Sequence, residues 1–409
     1  MTVTIHTGDC RDVMATMDAD SVDSIVVDPP YGIGFMGKAW DHGVPGVEFW
    51  TAALRVAKPG AYLLAFGGTR MFHRLACAIE DAGWELRDTV PYVHEGVTLE
   101  PVADCPWLLA WVYGSGFPKS KNLGDGRGTA LKPAWEPIIM ARKPLVGTVA
   151  ENVQAFGTGV LNIDACRIVT DELPRAGSGT IPCRHDEAKP RGRSGEASAG
   201  ARYTDAGGTN FAATPGPRGG DPSGRWPANL IHDGSAAVLS AFPTVSSGVP
   251  MGVKAGGQGN AFGLFAGGIP VTGYVDSGSA ARFFYCAKAS RADRNDGCDG
   301  LEEKPLLWSS GEQSPGTFQS TATKRAATNN HPTVKPTELM RYCVRLVTPP
   351  GGTVLDFMCG SGSTGRGARI EGFNFIGIEK DPDSADITRC RVNAVQPGLS
   401  LFAAAEATS

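Results

Sequence analysis

The chain has 409 residues, enough for one large or two ordinary domains, and 42% of them are hydrophobic. A net charge of -4 excludes a general basic coat, so any nucleic-acid face must be local. No secretory leader opens the sequence and no apolar run reaches the ~20 residues of a membrane span. The 10 cysteines read as reduced thiols, so the expected compartment is the cytoplasm.

Residues 1–145 read as α/β. Ser24-Ile25-Val26-Val27 is a short apolar strand ending at Asp28. A helix is predicted from Phe49 to Ala57, stopped by Lys58-Pro59-Gly60. A strand then covers Ala61 to Phe66 and ends at Gly67-Gly68. Met71 to Asp81 reads as a helix. Glu85 to Val93 and Glu136 to Ala141 read as strands, with a glycine-broken polar loop, Ser115 to Thr129, between them. Strands alternating with helices indicate a doubly wound, mostly parallel sheet. Residues 146–328 change character. Arg175 to Gly224 is rich in Gly, Ser, Pro and Arg with little apolar periodicity, and reads as loop. Trp226 and Phe283-Phe284-Tyr285 are apolar islands there, expected to form the core of a partly folded insert. The α/β pattern returns over residues 329–396. A helix is predicted over Glu338 to Val347, a strand over Thr353 to Asp356, a helix over Ser363 to Glu371 and a strand over Asn374 to Glu379. Residues 397–409 read as a tail.

Two segments carry chemistry. Asp28-Pro29-Pro30-Tyr31 follows an apolar strand, which places it at the carboxyl edge of the sheet, where open α/β folds bind ligands. The two prolines fix φ and remove two backbone donors, leaving a stiff loop that offers acceptors. An amino group with two N–H hydrogens needs such acceptors, and Tyr31 gives a planar base a face to stack on. The second segment, Asp356-Phe357-Met358-Cys359-Gly360-Ser361-Gly362, is a strand running into a glycine turn and then a helix. Gly360 and Gly362 allow a tight turn and close approach of a nucleotide-like ligand. Glu379, ending the next strand, can accept from both hydroxyls of a ribose. Each segment taken singly also fits a plain turn or helix cap.

Their order, proline motif first, resembles the β group of DNA amino-methyltransferases. Thr7-Gly8-Asp9-Cys10 and Ser21 to Gly32 match the family's opening, and Asn330-His331-Pro332-Thr333-Val334-Lys335-Pro336 matches the stretch before its cofactor strand. Ala130-Leu131-Lys132-Pro133-Ala134-Trp135-Glu136-Pro137 resembles phage and prophage members. The resemblance implies a Rossmann-like sheet in circularly permuted order. Residues 1–145 would be the catalytic half, 146–328 a loop-rich target-recognition insert and 329–396 the half that binds S-adenosylmethionine. It places Asp28, Pro29, Pro30 and Tyr31 at the amine and Asp9 near the cofactor's adenine. Glu379 falls at the ribose, Thr333 and Lys335 at the methionine end, and Asp356, Phe357, Met358, Gly360 and Gly362 along the cofactor turn. The family usually has Asp-Pro-Phe where this chain has Asp356, Phe357 and Met358. Methionine still offers an apolar, polarisable contact, and the phenylalanine's part stays open between the two side chains.

In that family aspartate before the prolines accompanies methylation of adenine N6, and serine accompanies methylation of cytosine N4. Asp28 therefore favours adenine in double-stranded DNA, flipped out of the stack. The alternatives are a cytosine 4-amino enzyme and a DNA-binding module with a decayed site. Arg184, Arg191, Arg193, Arg202, Arg218 and Arg225 are candidates for DNA contact, each more simply a solvated charge. Cys166, Cys183, His185, Cys286 and Cys298 lack a close Cys-x-x-Cys pair, so no metal is expected. Oligomeric state stays open, although such relatives often form homodimers.

Overall fold

The computed structural model describes residues 1–32, 41–86, 108–113, 134–169, 224–247, 276–287, 292–305 and 326–396. The loop Ser115 to Thr129, the arginines from Arg184 to Arg218, Cys183, His185 and the tail from 397 lie outside them.

The chain opens with strand β1 (Val3–Thr7), helix α1 (Cys10–Thr16), β2 (Val22–Val27), α2 (Val47–Val56), β3 (Ala57–Phe66), α3 (Phe72–Asp81) and β4 (Glu85–Leu86). There follow β5 (Leu108–Val112), β6 (Trp135–Arg142), α4 (Val149–Phe156), β7 (Leu230–His232), α5 (Ala236–Ala241), β8 (Thr244–Ser247), β9 (Asp276–Ser279) and β10 (Tyr285–Cys286). Last come β11 (Lys304–Pro305), β12 (Ala326–Ala327), α6 (Thr337–Val347), β13 (Thr353–Asp356), α7 (Ser363–Ile370), β14 (Asn374–Glu379) and α8 (Pro382–Ala394).

A 10-stranded sheet runs β1-β14-β13-β2-β3-β6-β5-β7-β10, with β4 paired to β6. From β1 through β3 every pairing is parallel, and β6 is antiparallel to β3, β4 and β5. The expected doubly wound, mostly parallel fold is therefore present. Its strand order is the permuted one, because β13 and β14, late in the chain, lie between β1 and β2.

Parallel strands covered on both faces must be apolar nearly throughout. All six residues of β2 are buried. Val22, Ile25 and Val27 enter the cluster formed with Met14 of α1, Trp50 and Ala53 of α2 and Leu75 and Ile79 of α3. Val26, with Tyr62, Leu64 and Phe66 of β3, joins Leu339, Met340, Tyr342 and Val344 of α6 on the other face. The period-2 alternation along β3 divides its side chains between the two clusters. Two polar residues of β2 are satisfied: Asp23 takes Lys58 Nζ at 2.6 Å and the Thr353 amide at 2.8 Å, and Ser24 Oγ meets Thr348 Oγ1 at 2.8 Å.

Two expectations need correction, and a third falls partly outside the described residues. Helix α2 does end ahead of Lys58-Pro59-Gly60, but those residues lie inside β3, which starts at Ala57 and not at Ala61. A register shift opposite Val22 and Ser24 absorbs Gly60, whose φ is +78°, and Asn152 Nδ2 donates to the Pro59 carbonyl at 3.0 Å. Of the strand expected from Glu85 to Val93, β4 covers the described part and the remainder lies outside it. Tyr285 is not core of an insert. It sits in β10 and stacks on Tyr342 of α6, centroids 4.0 Å apart.

Contacts divide the chain into two units. The first holds Met1–Cys166, Pro227–Ala241 and Phe284–Ser409, and the second holds Arg167–Trp226 and Phe242–Phe283. In the second, β8 and β9 pair antiparallel, Ile168 bridges Arg225, and the Arg225 guanidinium lies 4.4 Å from the Phe283 ring centre. Trp226 is 66% exposed, with Arg167 5.7 Å from its ring centre, so it is not the core residue the sequence suggested. Among the described residues no helix is long and apolar enough to cross a membrane.

Helices α6 and α7 are tied by one buried carboxylate. Glu371, just after α7, accepts from Arg341 Nε at 2.8 Å and from Arg345 Nη2 at 2.6 Å and Nε at 2.8 Å. Glu371→Gln lowers stability by about 2 kcal/mol, read as a fall in the urea midpoint. The figure is below that for a wholly buried pair because both guanidiniums keep some access to water.

Candidate active site

The parallel strands end at one edge, and each places a short segment there. Asp9 follows β1, Asp28 follows β2, Gly67-Gly68 follow β3, Asp356 ends β13 and Glu379 ends β14. Because β6 runs the other way, its start lies at the same edge, which brings Glu136 in. All of these but Gly67 line a cleft of about 1520 Å³. A single drug-sized ligand needs roughly 300–1,000 Å³. There is room for a nucleoside-like ligand and a second planar group together.

The proline motif forms one wall. Tyr31 Oη donates to Asp28 Oδ1 at 2.9 Å and accepts from Lys335 Nζ at 2.8 Å. Lys335 Nζ also lies 3.0 Å from Asp28 Oδ2 and 3.3 Å from Glu136 Oε2, and stands 5.2 Å from the Tyr31 ring centre and 5.1 Å from that of Phe66. Burial opposes the Lys335 charge, but Asp28 and Glu136 outweigh it and hold its pKa above the ordinary lysine value. Burial, with the two carboxylates, pushes the Tyr31 phenol well up. Lys335 thus clamps the proline loop. Its ammonium is engaged by two carboxylates, Asp28 and Glu136.

The glycine turn forms the facing wall. Gly360 and Gly362 have φ of +52° and +78°, a region that favours glycine. A Cβ on Gly360 would lie 3.0 Å from His331 Nε2, and one on Gly362 would meet Thr388 Cγ2 at 2.9 Å. Glu379 Oε2 accepts from the Gly360 amide at 2.8 Å and Oε1 from the Asp381 amide at 2.9 Å. Burial pushes the Glu379 carboxyl up. Each of its oxygens retains a second lone pair, so it can still accept from the hydroxyls of a sugar. Asp356, buried, accepts from the Met358 amide at 3.2 Å, and burial pushes it up to about 7 despite a hydrogen bond from Thr364. Phe357 is 1% exposed and meets Trp50 edge-on at 5.4 Å, whereas the partly buried Met358 also lines the cleft.

Asp9 is the N-cap of α1, accepting from the Arg11 amide at 3.1 Å. The Arg11 guanidinium, bonded to both its oxygens, holds its carboxyl far below the usual range. The Thr333 carbonyl lies 2.6 Å from His331 Nδ1. The residues picked for the amine and the cofactor therefore meet in this cleft or, for Gly362, in the turn that forms it. Two supporting residues were not picked. Glu136 lay unassigned within a recognised motif. Arg391 of α8 bonds the Ser361 carbonyl and hydroxyl and donates to the Asp293 carbonyl at 2.7 Å, fixing the turn from behind; burial lowers its pKa to about 10. Among the described residues no three His, Cys, Asp or Glu side chains are grouped to hold a metal ion.

Comparison with known proteins gives the following. The type II methyltransferases M.Cfr9I of Citrobacter freundii and M.XycI of Xanthomonas campestris pv. cyanopsidis are each 30% identical over 124 residues, 30% of this chain. The match spans 37% of the length of those relatives. The crystal structure of the M1.HpyAVI-SAM complex aligns with a TM-score of 0.40 at 14% identity, covering 96% of this chain and 100% of that one. The PvuII DNA methyltransferase (cytosine-N4-specific) aligns with a TM-score of 0.44 at 12% identity, covering 99% and 91%. The profile of the N6/N4 DNA methylases matches residues 22–389, most of the chain. The chain belongs to that family of DNA methylases, whose methyl donor is S-adenosylmethionine.

Proposed function

We propose that this protein methylates the 6-amino group of an adenine flipped out of double-stranded DNA. The observation that carries the reading is convergence. Lys335, near the start of the late half, bonds Tyr31 and pairs with Asp28 of the early proline loop, across a cleft whose other wall is the glycine turn.

The residues fit the family's cofactor. The glycine turn leaves the backbone bare, Glu379 offers acceptors at the strand end, and Met358 adds an apolar contact. When bound there, S-adenosylmethionine supplies a methyl carbon whose bond to sulfur breaks, both electrons staying on sulfur, as the amine nitrogen bonds to that carbon. The chain's part is to hold and polarise the amine. Asp28 and the Pro29 carbonyl accept its two N–H hydrogens, which draws the nitrogen towards a tetrahedral state with an available lone pair. Tyr31 stacks on the extruded base, and stacking offsets part of the few kcal/mol that extrusion costs. Aspartate at position 28 favours adenine. Residues 146–328 would read the target, with Arg225 and the exposed Arg167–Trp226 pair as candidate contacts to phosphate and base.

The test is expression in a host free of DNA methylation, followed by digestion of its DNA to nucleosides and mass analysis. N6-methyladenine is the expected product. N4-methylcytosine would overturn the choice of base, and unmodified DNA the activity.

A further inference from the structure

Glu136 is a charged group of the cleft that the reading above leaves without a part. It stands second in β6, inside Ala134-Trp135-Glu136-Pro137. Its side chain is 14% exposed, and Oε2 is shut off from water. Lys335 Nζ stands 3.3 Å from that oxygen, an ion pair lacking the alignment of a hydrogen bond. Buried carboxylates kept for structure alone are normally paired and fully bonded, because an unmet buried charge is costly. Glu371, with three guanidinium donors, shows that pattern here. Glu136 instead points at the one cation that Asp28 also uses.

The charge count is simple. With Lys335 between them, Asp28 and Glu136 leave the cluster one net negative charge. Without Glu136 the lysine would cancel Asp28. During transfer the amine nitrogen passes from neutral to cationic and then sheds one proton. A negative cluster fixed beforehand beside that nitrogen favours the transition state over the ground state.

We infer that Glu136 is a positioning residue of the methyl-accepting centre, sharing the Lys335 ammonium with Asp28 so that Asp28 keeps its full strength as an acceptor for the amine. This rests on the amino-methyltransferase reading above. The groups that face Glu136 are Asp28 and Tyr31 from the loop after β2, Tyr113 at the end of β5 and Lys335 ahead of α6. Burial raises the Glu136 carboxyl and the Asp28 charge adds to this, while Lys335 pulls it down; the net direction is up. Glu136 therefore loses its proton later than an ordinary glutamate, and the active form is the ionised one.

The test compares wild type, Glu136→Gln and Glu136→Asp in single-turnover methyl transfer to DNA across pH 5 to 9. Cofactor affinity and melting temperature are measured on the same samples. Wild type should show a rate that rises with pH on the acid side. Glu136→Gln should be slower by on the order of tenfold to a hundredfold at neutral pH and should lose that acid limb, with cofactor affinity within about twofold. Glu136→Asp should restore the limb in part. A second readout needs no turnover. A carboxyl raised by folding makes the folded chain less stable as pH climbs from the glutamate's ordinary range, so the melting temperature of wild type should fall relative to Glu136→Gln over that interval. An active wild type with an unchanged rate and limb in Glu136→Gln would overturn this inference alone, as would parallel melting curves. A wild type that binds cofactor but methylates no DNA would overturn the underlying reading and this inference with it.

Discussion

Asp28→Asn should lower the single-turnover rate of methyl transfer to DNA by on the order of 1,000-fold, with cofactor affinity within about twofold of wild type. Asparagine keeps one carbonyl acceptor but replaces the other oxygen with an NH2 group, which repels an amine's N–H. The charge is lost as well. Lys335 then has Glu136 as its remaining anionic partner, and the Tyr31 hydroxyl loses the anion it donates to. The nitrogen is no longer drawn towards a tetrahedral state, and its developing positive charge faces a neutral cluster. The fold should tolerate the change. Asp28 is 24% exposed and follows β2 outside the apolar clusters, so its replacement removes no core contact. Rapid-quench transfer of labelled methyl, with calorimetric cofactor titration on the same sample, separates the effects. A variant that kept its rate would remove Asp28 from the chemistry. One that lost cofactor binding in proportion would place it on the cofactor instead.

What could be read from residue order depends on how local each element's determinants are. Thr353–Asp356 and Asn374–Glu379 have the bounds that the sequence suggests, because each short apolar run opens and closes on a polar residue of its own. Helix α8 announced itself and went unread: Asp381 caps it, accepting from the Ser384 amide at 3.0 Å, and Pro382 opens it. The start of β3 could not be read, since Pro59-Gly60 is a genuine stop signal overridden by pairing with β2 and by Asn152. The short strands β5 and β7 owe their existence to neighbours far along the chain. The site divides in the same way. Asp28 and the glycines are contiguous motifs, visible as such. The clamp of Lys335 on Asp28, Tyr31 and Glu136 joins three separate stretches, and no spacing rule shows which of two plausible partners a lone lysine will take.

The departure at Asp356-Phe357-Met358 leads to two opposite expectations for neighbouring side chains. Phe357 is 1% exposed, edge-on to Trp50 and surrounded by the cluster beneath α1, α2 and α3. Truncation there empties a site whose walls are held by β2 and β13 and cannot collapse. Phe357→Ala should therefore cost about 3–5 kcal/mol of stability, seen as a large fall in the urea midpoint. Met358 is only partly buried, lines the cleft and touches that cluster from its edge. Met358→Ala should leave the midpoint nearly unchanged and weaken cofactor binding about tenfold, the loss expected when one or two buried methylene-sized contacts with a ligand disappear. Urea denaturation and calorimetric titration of both variants decide between the assignments. If Phe357→Ala kept its stability and lost affinity while Met358→Ala did the reverse, the phenylalanine would face the ligand and the packing argument would fail. The geometry favours the first outcome for a simple reason: both residues reach the cleft lining, but Phe357 is 1% exposed and held edge-on by Trp50, whereas Met358 is only partly buried.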